Sequence, residues 1–145
     1  MLKLILNNKY NPLFKSDARY FIITGGRGSG KSFAVTAFLT LLTMTKGIRI
    51  LFTRFTMVSA HLSIIPEFLE KIGLLGFENI FSVNKTEVLN TSNQSDILFR
   101  GIKTSAGNQT ASLKSLQGIS CWVLDEAEEL IDEDIFDTID LSIRE

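Results

Sequence analysis

The hydrophobic positions of this chain fall into short uninterrupted apolar runs and one longer run with helical spacing. The short runs, at residues 19–24, 48–53, 96–100 and 119–124, are rich in aromatic and β-branched residues and predict strands. Runs without polar alternation are typical of strands that are covered on both faces. In residues 31–43 apolar pairs recur every four residues, which predicts an amphipathic helix.

Weaker patterns complete the prediction. Residues 59–72 are expected to be helical, with Pro66 as a break or a first-turn residue. The polar residues 101–112 are expected to form a mobile loop. Short strands are predicted at residues 2–6, 81–83 and 87–89, the last two within an antiparallel section. Strands that alternate with helices predict a layered α/β domain with a largely parallel sheet, whose ligand lies beyond the carboxyl ends of the strands.

Composition narrows the class of protein without assigning a function. The chain has 145 residues, 45% of them hydrophobic, which suits one globular domain. Its 15 basic and 16 acidic residues nearly cancel, so any contact with nucleic acid has to be local. The single cysteine, Cys121, excludes an internal disulfide and a cysteine-based zinc site. Because no apolar run approaches the roughly 18 residues of a membrane span, we expect a soluble chain without membrane partners, and the single cysteine fits the interior of a cell.

A glycine-rich segment lies between the first strong strand and the first helix of this prediction. It reads GGRGSGKS and fits the pattern G-x-x-x-x-G-K-[ST], in the strand-to-helix context that this pattern requires. Glycines let successive backbone N–H groups turn inward around phosphate oxygens, and the helix that follows adds the positive end of its dipole. We therefore expect ATP phosphates to be bound by Gly25, Gly26, Arg27, Gly28, Ser29, Gly30, Lys31 and Ser32. The alternative is a glycine-rich turn without a ligand.

Three side chains of this segment have predicted roles in catalysis or metal binding. Lys31 is expected to reach the β- and γ-phosphates, and the hydroxyl of Ser32 to ligate Mg²⁺. Arg27 either stabilises charge on the γ-phosphate, as an arginine finger from the same chain, or solvates the loop.

The apolar run before residue 125 ends at two adjacent carboxylates, which is the form of the second nucleotide motif of P-loop proteins. Asp125 is expected to hold Mg²⁺, directly or through water, and Glu126 to act as the general base for the attacking water. The adjacent glutamate favours hydrolysis over transfer to a second substrate. An acid-rich helix start is the alternative for this segment alone. For the whole chain, a small-molecule kinase and a catalytically silent nucleotide-binding protein remain alternatives.

Four segments together resemble the large terminase subunits of tailed phages, the ATP-driven motors that pump double-stranded DNA into capsids. They read GGRGSGKS, LFTRF, ILFRGI and SLQGISCWVLDEAEEL, and the likeness spans about residues 10–145. The resemblance implies a three-layer P-loop NTPase fold of the additional-strand catalytic-glutamate type, with a mostly parallel sheet and a small antiparallel edge. It also implies Mg-dependent ATP hydrolysis, a position for residues 11–19 near the adenine, and an Arg27 that senses the γ-phosphate.

The same resemblance implies partners and a location. These are double-stranded DNA, a portal protein, a small terminase subunit and further copies of the chain in a ring, in the host cytoplasm and transiently at the procapsid portal. Large terminases continue into a coupling segment and a nuclease domain with metal-binding acids. The resemblance therefore implies that residues 1–145 are part of an ATPase domain, incomplete at its carboxyl end and without nuclease activity.

Ring motors usually supply a cation from the neighbouring subunit to the phosphate that is cleaved. Lys114 has the best context for this role because it lies in the segment that leads to the acidic strand. Arg54 and Arg100 each end a predicted strand and are further candidates. The alternative for all three is a solvated surface cation.

Overall fold

The computed structural model describes residues 4–57, 60–104, 107–108, 113 and 115–143. Within these ranges the α-helices are α1 (Pro12–Lys15), α2 (Lys31–Leu42), α3 (Ala60–Leu75) and α4 (Glu133–Ser142). The strands are β1 (Arg49–Arg54), β2 (Phe81–Val83), β3 (Glu87–Asn90), β4 (Asp96–Gly101), β5 (Lys103–Thr104), β6 (Gly107–Asn108) and β7 (Cys121–Leu124). Short 3₁₀ turns occupy Asn8–Tyr10 and Ala127–Glu129.

Five strands form a mixed sheet in the order β2-β3-β4-β1-β7. β1 pairs in parallel with β4 on one side and with β7 on the other, so that Ile50 lies opposite both Ile97 and Cys121. β3 runs antiparallel to β2 and β4. The predicted largely parallel sheet with a small antiparallel edge is therefore confirmed, and β1 lies between two parallel neighbours.

Both faces of β1 are covered, which explains its uninterrupted apolar run. Successive residues of a strand point to opposite faces. Ile50 and Phe52 belong to the larger core cluster, in which Phe52, Phe68 and Phe99 pack with ring centroids 5.4–6.0 Å apart. Leu51 belongs to a second cluster with Ile139 of α4. The helices α2 and α3 also pack against each other.

The prediction of a strand at residues 19–24 is wrong. No described strand pairs with this segment, and the side chains of Tyr20, Phe21 and Ile22 are exposed, Ile22 by 91%. An apolar run shows only what a segment could bury, whereas a strand also needs a neighbour for its backbone hydrogen bonds. Here the segment is held by a side chain instead, because the Tyr20 hydroxyl donates to the Asp140 carboxylate of α4, with its oxygens 3.1 and 3.0 Å away.

Three smaller predictions also need correction. Residues 4–6 are not a strand, and residues 2–3 lie outside the described ranges. Helix α3 continues through Pro66, because apolar side chains on both sides of the proline pack into the core. The loop predicted at residues 101–112 contains the antiparallel strand pair β5–β6. In the described part of the chain, none of the helices is long and apolar enough to cross a membrane.

Candidate functional site

The glycine-rich loop precedes α2 and needs glycine at specific positions. Gly30 caps the helix with φ +77°, in the left-handed region that side chains rarely adopt. A Cβ on Gly25 would lie 2.7 Å from Ser29 Oγ, so a larger residue would clash with the loop itself. A cavity of about 330 Å³ is lined by residues 26–33. The loop therefore curls around a space at the amino end of a long helix, where backbone N–H groups are unpaired.

Polar contacts hold this loop in place. The Lys31 ammonium donates to the Gly25 carbonyl over 2.9 Å, which folds the side chain back across the loop. The Tyr10 hydroxyl donates to the Ser29 carbonyl over 2.8 Å, and Tyr10 is buried. The hydroxyl oxygen of Ser29 is buried and has no hydrogen-bond partner within the described residues. The exposed Arg27 adds a second positive charge, so the loop offers cations and unpaired donors to an anion.

The carboxyl end of β7 carries the acidic pair. Asp125 N–H donates to the Thr53 carbonyl over 2.9 Å, which extends the β1–β7 pairing by one step. Glu126 has φ +52°, which is uncommon for a residue with a side chain, and a 3₁₀ turn follows it at once. Such left-handed residues cost on the order of 1–2 kcal/mol. The chain therefore turns sharply directly after the two carboxylates.

Arg54, the last residue of β1, lies against this acidic pair. Its Nε is 2.7 Å from Asp125 Oδ2 and its Nη2 is 3.9 Å from Glu126 Oε1. Its Nη1 donates to Ser63 Oγ on α3 over 3.2 Å. The Arg54 side chain is only 18% exposed. One guanidinium thus joins the ends of two strands to a helix.

Helix α3 carries two more charged residues, Glu67, which interacts with Asp125, and Lys71, which lies beside Phe33. Burial raises the pKa of Glu67, the Lys71 ammonium opposes this rise, and the Asp125 carboxylate adds to it. Glu67 Oε2 is buried without a hydrogen-bond partner in the described part of the chain. Lys71 is buried, lies 3.1 Å from the Glu70 carboxylate, and sits 4.2 Å from the ring centroid of Phe33, which follows the loop.

Glu67 thus interacts with the acidic pair, and Lys71 contacts the helix that follows the glycine-rich loop. Sequence reasoning missed Glu67 and Lys71, although both lie on the helix face that buries Ile64 and Phe68. A charged pair at spacing i, i+4 on an apolar face is the signal that could have found them.

A sequence profile of the phage terminase large subunit matches residues 17–145, a range that contains both the glycine-rich loop and the acidic pair. The chain belongs to the phage terminase large subunit family. This confirms the resemblance inferred from the motifs. Large terminase subunits are parts of phage packaging motors, and the family is generally one of ATPases. None of the curated proteins compared with the chain matches it.

In this terminase chain the residues predicted for the site fall into two groups. Residues 26–32 line the cavity, Gly25 lies directly before them and accepts a hydrogen bond from Lys31, and Asp125 and Glu126 follow β7. Ser32 is exposed at the start of α2. Within the described ranges no cluster of three or more His, Cys, Asp and Glu residues could hold a metal alone. Mg²⁺ commonly takes only one or two carboxylates from the protein, so this finding is compatible with the predicted pair of Ser32 and Asp125.

The three candidate cations of this terminase chain have different surroundings. Arg54 contacts the acids of its own chain, as described above. Arg100 Nη1 donates to the carbonyls of Phe99 and Thr86 over 2.8 and 3.4 Å. Lys114 lies outside the described residues. A role of any of the three toward a neighbouring subunit stays a prediction.

Proposed function

We propose that the chain binds and hydrolyses ATP as the motor core of a phage terminase, and that hydrolysis drives double-stranded DNA into the capsid. The observation that carries this proposal is the curled loop at the amino end of α2, closed by Lys31, in a family member whose β7 ends at two carboxylates. Loop and acids offer the two halves of an ATPase site: donors for phosphate, and oxygens for a metal and a water.

Binding would use the backbone of the loop and its cations. Lys31 would leave the Gly25 carbonyl and donate to the β- and γ-phosphates, while unpaired N–H groups of α2 and the positive end of its dipole face the phosphates. The orphaned hydroxyl of Ser29 gives the loop one further polar atom without a partner in the described part of the chain. Arg27 is exposed at the cavity and would pair with the γ-phosphate.

The metal proposed for this site is Mg²⁺, held by Ser32 and Asp125. A hydroxyl and a carboxylate fit it, because Mg²⁺ prefers oxygen ligands and takes the remainder from water and phosphate. When bound, Mg²⁺ neutralises charge on the phosphate oxygens. Asp125 would supply its carboxylate from the end of a strand whose position is fixed by pairing with β1.

Glu126 would accept the proton of the attacking water. It follows Asp125 directly, at a left-handed backbone position, and we assign one acid to the metal and the other to the water. The water oxygen attacks the γ-phosphorus, the bond to the β–γ bridging oxygen breaks, and the products are ADP and phosphate. Double-stranded DNA, a portal protein, a small terminase subunit and a ring of further copies are the partners proposed for the coupled motor.

Two substitutions separate binding from turnover. Lys31→Ala is expected to abolish binding of a fluorescent ATP analogue, whereas Glu126→Gln is expected to retain binding and to stop phosphate release. Matched controls are Lys46→Ala, in the turn beyond the far end of α2, and Glu129→Gln, an exposed acid in the turn after Glu126. An unchanged hydrolysis rate in Glu126→Gln would refute its role as the general base.

A silent nucleotide-binding protein is the second candidate, and one observation favours it. Residues 19–24 belong to none of the described strands, so within the described residues the segment that leads into the loop does not join the sheet. This candidate expects ATP to be bound and recovered intact from the 145-residue chain. Release of labelled phosphate at a rate that falls in Glu126→Gln would exclude it.

A further inference from the structure

Arg54 makes contacts that the proposed ATPase cycle does not use. Its guanidinium directs Nε at Asp125, Nη2 at Glu126 and Nη1 at Ser63. The Asp125 contact, at 2.7 Å, is the shortest of these, and it engages one oxygen of the carboxylate proposed to hold the metal. Arg54 and Mg²⁺ would therefore compete for the same group.

We propose that Arg54 is a resident counter-ion of Asp125 that gives way to the metal when Mg-nucleotide binds. The inference rests on the proposed function and adds a positioning residue to it. A charge-assisted hydrogen bond to a carboxylate is strong enough to hold Asp125 while no metal is present. A divalent ion with a small radius interacts more strongly with the same oxygen than a delocalised monovalent guanidinium does.

The surroundings of Arg54 allow it to move without losing its charge partners. Glu126 Oε1 is already 3.9 Å away, and Ser63 Oγ accepts a bond from the other side. The backbone of Arg54 is fixed by its strand, where it lies opposite Gly101 of β4, so the change is confined to the side chain. Asp125 is 29% exposed, which leaves it open to a ligand from solvent.

We call this replacement of Arg54 by Mg²⁺ at Asp125 the exchange. It predicts that a variant without the guanidinium needs less Mg²⁺. With Arg54→Gln, the Mg²⁺ concentration for half-maximal binding of a non-hydrolysable fluorescent ATP analogue should fall about tenfold, because the metal no longer displaces a charged hydrogen bond. Arg54→Lys keeps the charge and should restore most of the wild-type requirement. Without metal, Arg54→Gln should melt at a lower temperature than the wild type, and Mg-nucleotide should recover this loss.

Two controls separate the exchange from a general effect of charge or packing. Arg49→Gln removes the same charge from the opposite end of β1, where the guanidinium pairs with Asp96, and should leave the metal requirement unchanged. Ser63→Ala removes the tether to α3 but leaves the charge, and should also leave it unchanged. Circular dichroism of each variant checks that it is folded.

The outcomes distinguish the exchange from the proposed function. If the wild type binds Mg-nucleotide but Arg54→Gln needs the same or more Mg²⁺, the exchange is wrong and the proposed function stands. If the wild type binds the analogue neither with nor without Mg²⁺, both are wrong. A lower requirement in Arg54→Gln, with Arg49→Gln unchanged, supports the exchange.

Discussion

The two ends of β1 carry the same kind of ion pair in different surroundings. At the amino end, Arg49 donates two bonds to Asp96 of β4, over 3.1 and 3.0 Å. At the carboxyl end, Arg54 divides its guanidinium among Asp125, Glu126 and Ser63. The first pair is bidentate, and the Asp96 side chain is 5% exposed. In the second pair, the two carboxylates have other proposed partners, the metal for Asp125 and the attacking water for Glu126.

We infer from this difference that the first ion pair supports the fold and that the second belongs to the proposed site. A bidentate pair satisfies both partners, whereas Asp125 shares Arg54 with Glu126 and has a proposed metal as a second partner. In a parallel sheet, ligands gather beyond the carboxyl ends of the strands, and the amino ends carry structure. The same arginine–aspartate chemistry on one strand therefore leads to opposite expectations for substitution.

The largest expected effect is on turnover at the carboxyl end. Asp125→Asn should lower the rate of phosphate release about a hundredfold or more. Loss of a group that only supports a metal ligand already costs up to about a hundredfold, and Asp125 is proposed as a ligand itself. Asp96→Asn, the matched change at the amino end, should leave the rate per folded molecule unchanged. Phosphate release at saturating Mg-ATP measures both. Equal losses of rate in the two variants would remove the distinction between the ends.

The loss of stability should be larger for a substitution at the amino end of β1 than for one at its carboxyl end. Arg49→Gln leaves the buried Asp96 carboxylate without its guanidinium and should cost about 2–3 kcal/mol of unfolding free energy. The cost stays below that of a fully buried pair because the Arg49 side chain is 44% exposed. Arg54→Gln should cost less, since solvent reaches Asp125. Urea unfolding without nucleotide compares the two, and a larger loss in Arg54→Gln would contradict this order.

Sequence reasoning predicted the secondary structure near both ends of β1 but not the ion pairs that form there. The apolar run of β1, the helix after the glycine loop and the acids after β7 were read from local patterns. Arg54 meets Asp125 only because β1 and β7 align Thr53 with Leu124, a register between distant segments. The position of Glu67 near Asp125 depends in turn on how α3 packs. Residues 19–24 had the pattern of a strand, and that pattern could not reveal the missing neighbour.

Two buried hydroxyls, one near each end of β1, test whether the two ends differ in more than their ion pairs. Thr53 Oγ1 donates to the Val123 carbonyl over 2.9 Å and accepts from Trp122 Nε1 over 2.8 Å. Ser95 Oγ donates to the Thr45 carbonyl over 2.6 Å and accepts from the Ile48 N–H over 3.0 Å. Thr53→Val and Ser95→Ala should each cost about 1–2 kcal/mol, because each leaves a donor unpaired.

Only the Thr53 variant should also affect the site, because the Thr53 hydroxyl binds the Val123 carbonyl and so helps to fix the strand end that carries Asp125, the proposed metal ligand. A few-fold increase in the Mg²⁺ concentration for half-maximal nucleotide binding is expected for Thr53→Val, and no change for Ser95→Ala. Thermal unfolding and the same fluorescence titration provide both readings. A shift of similar size in Ser95→Ala would mean that the metal requirement reports stability alone.

The smallest expected effect is a dependence of stability on pH that comes from the carboxyl end. The pKa of Glu67 is raised above the ordinary 4.5, first by burial and then by the Asp125 carboxylate, against the opposing Lys71 and Arg54 charges. The folded chain therefore binds more protons than the unfolded chain above pH 4.5, so this contribution to stability is lost as pH rises through the folded-state pKa.

Glu67→Gln removes this loss because the amide stays neutral. Its stability relative to the wild type should be nearly constant below pH 4.5 and should increase above it, as measured by urea unfolding at a series of pH values. Glu128→Gln, which removes an exposed carboxylate from the turn after Glu126, controls for the change in net charge. A difference between Glu67→Gln and the wild type that does not change with pH would contradict this prediction, because it would show that folding leaves the pKa of Glu67 unchanged.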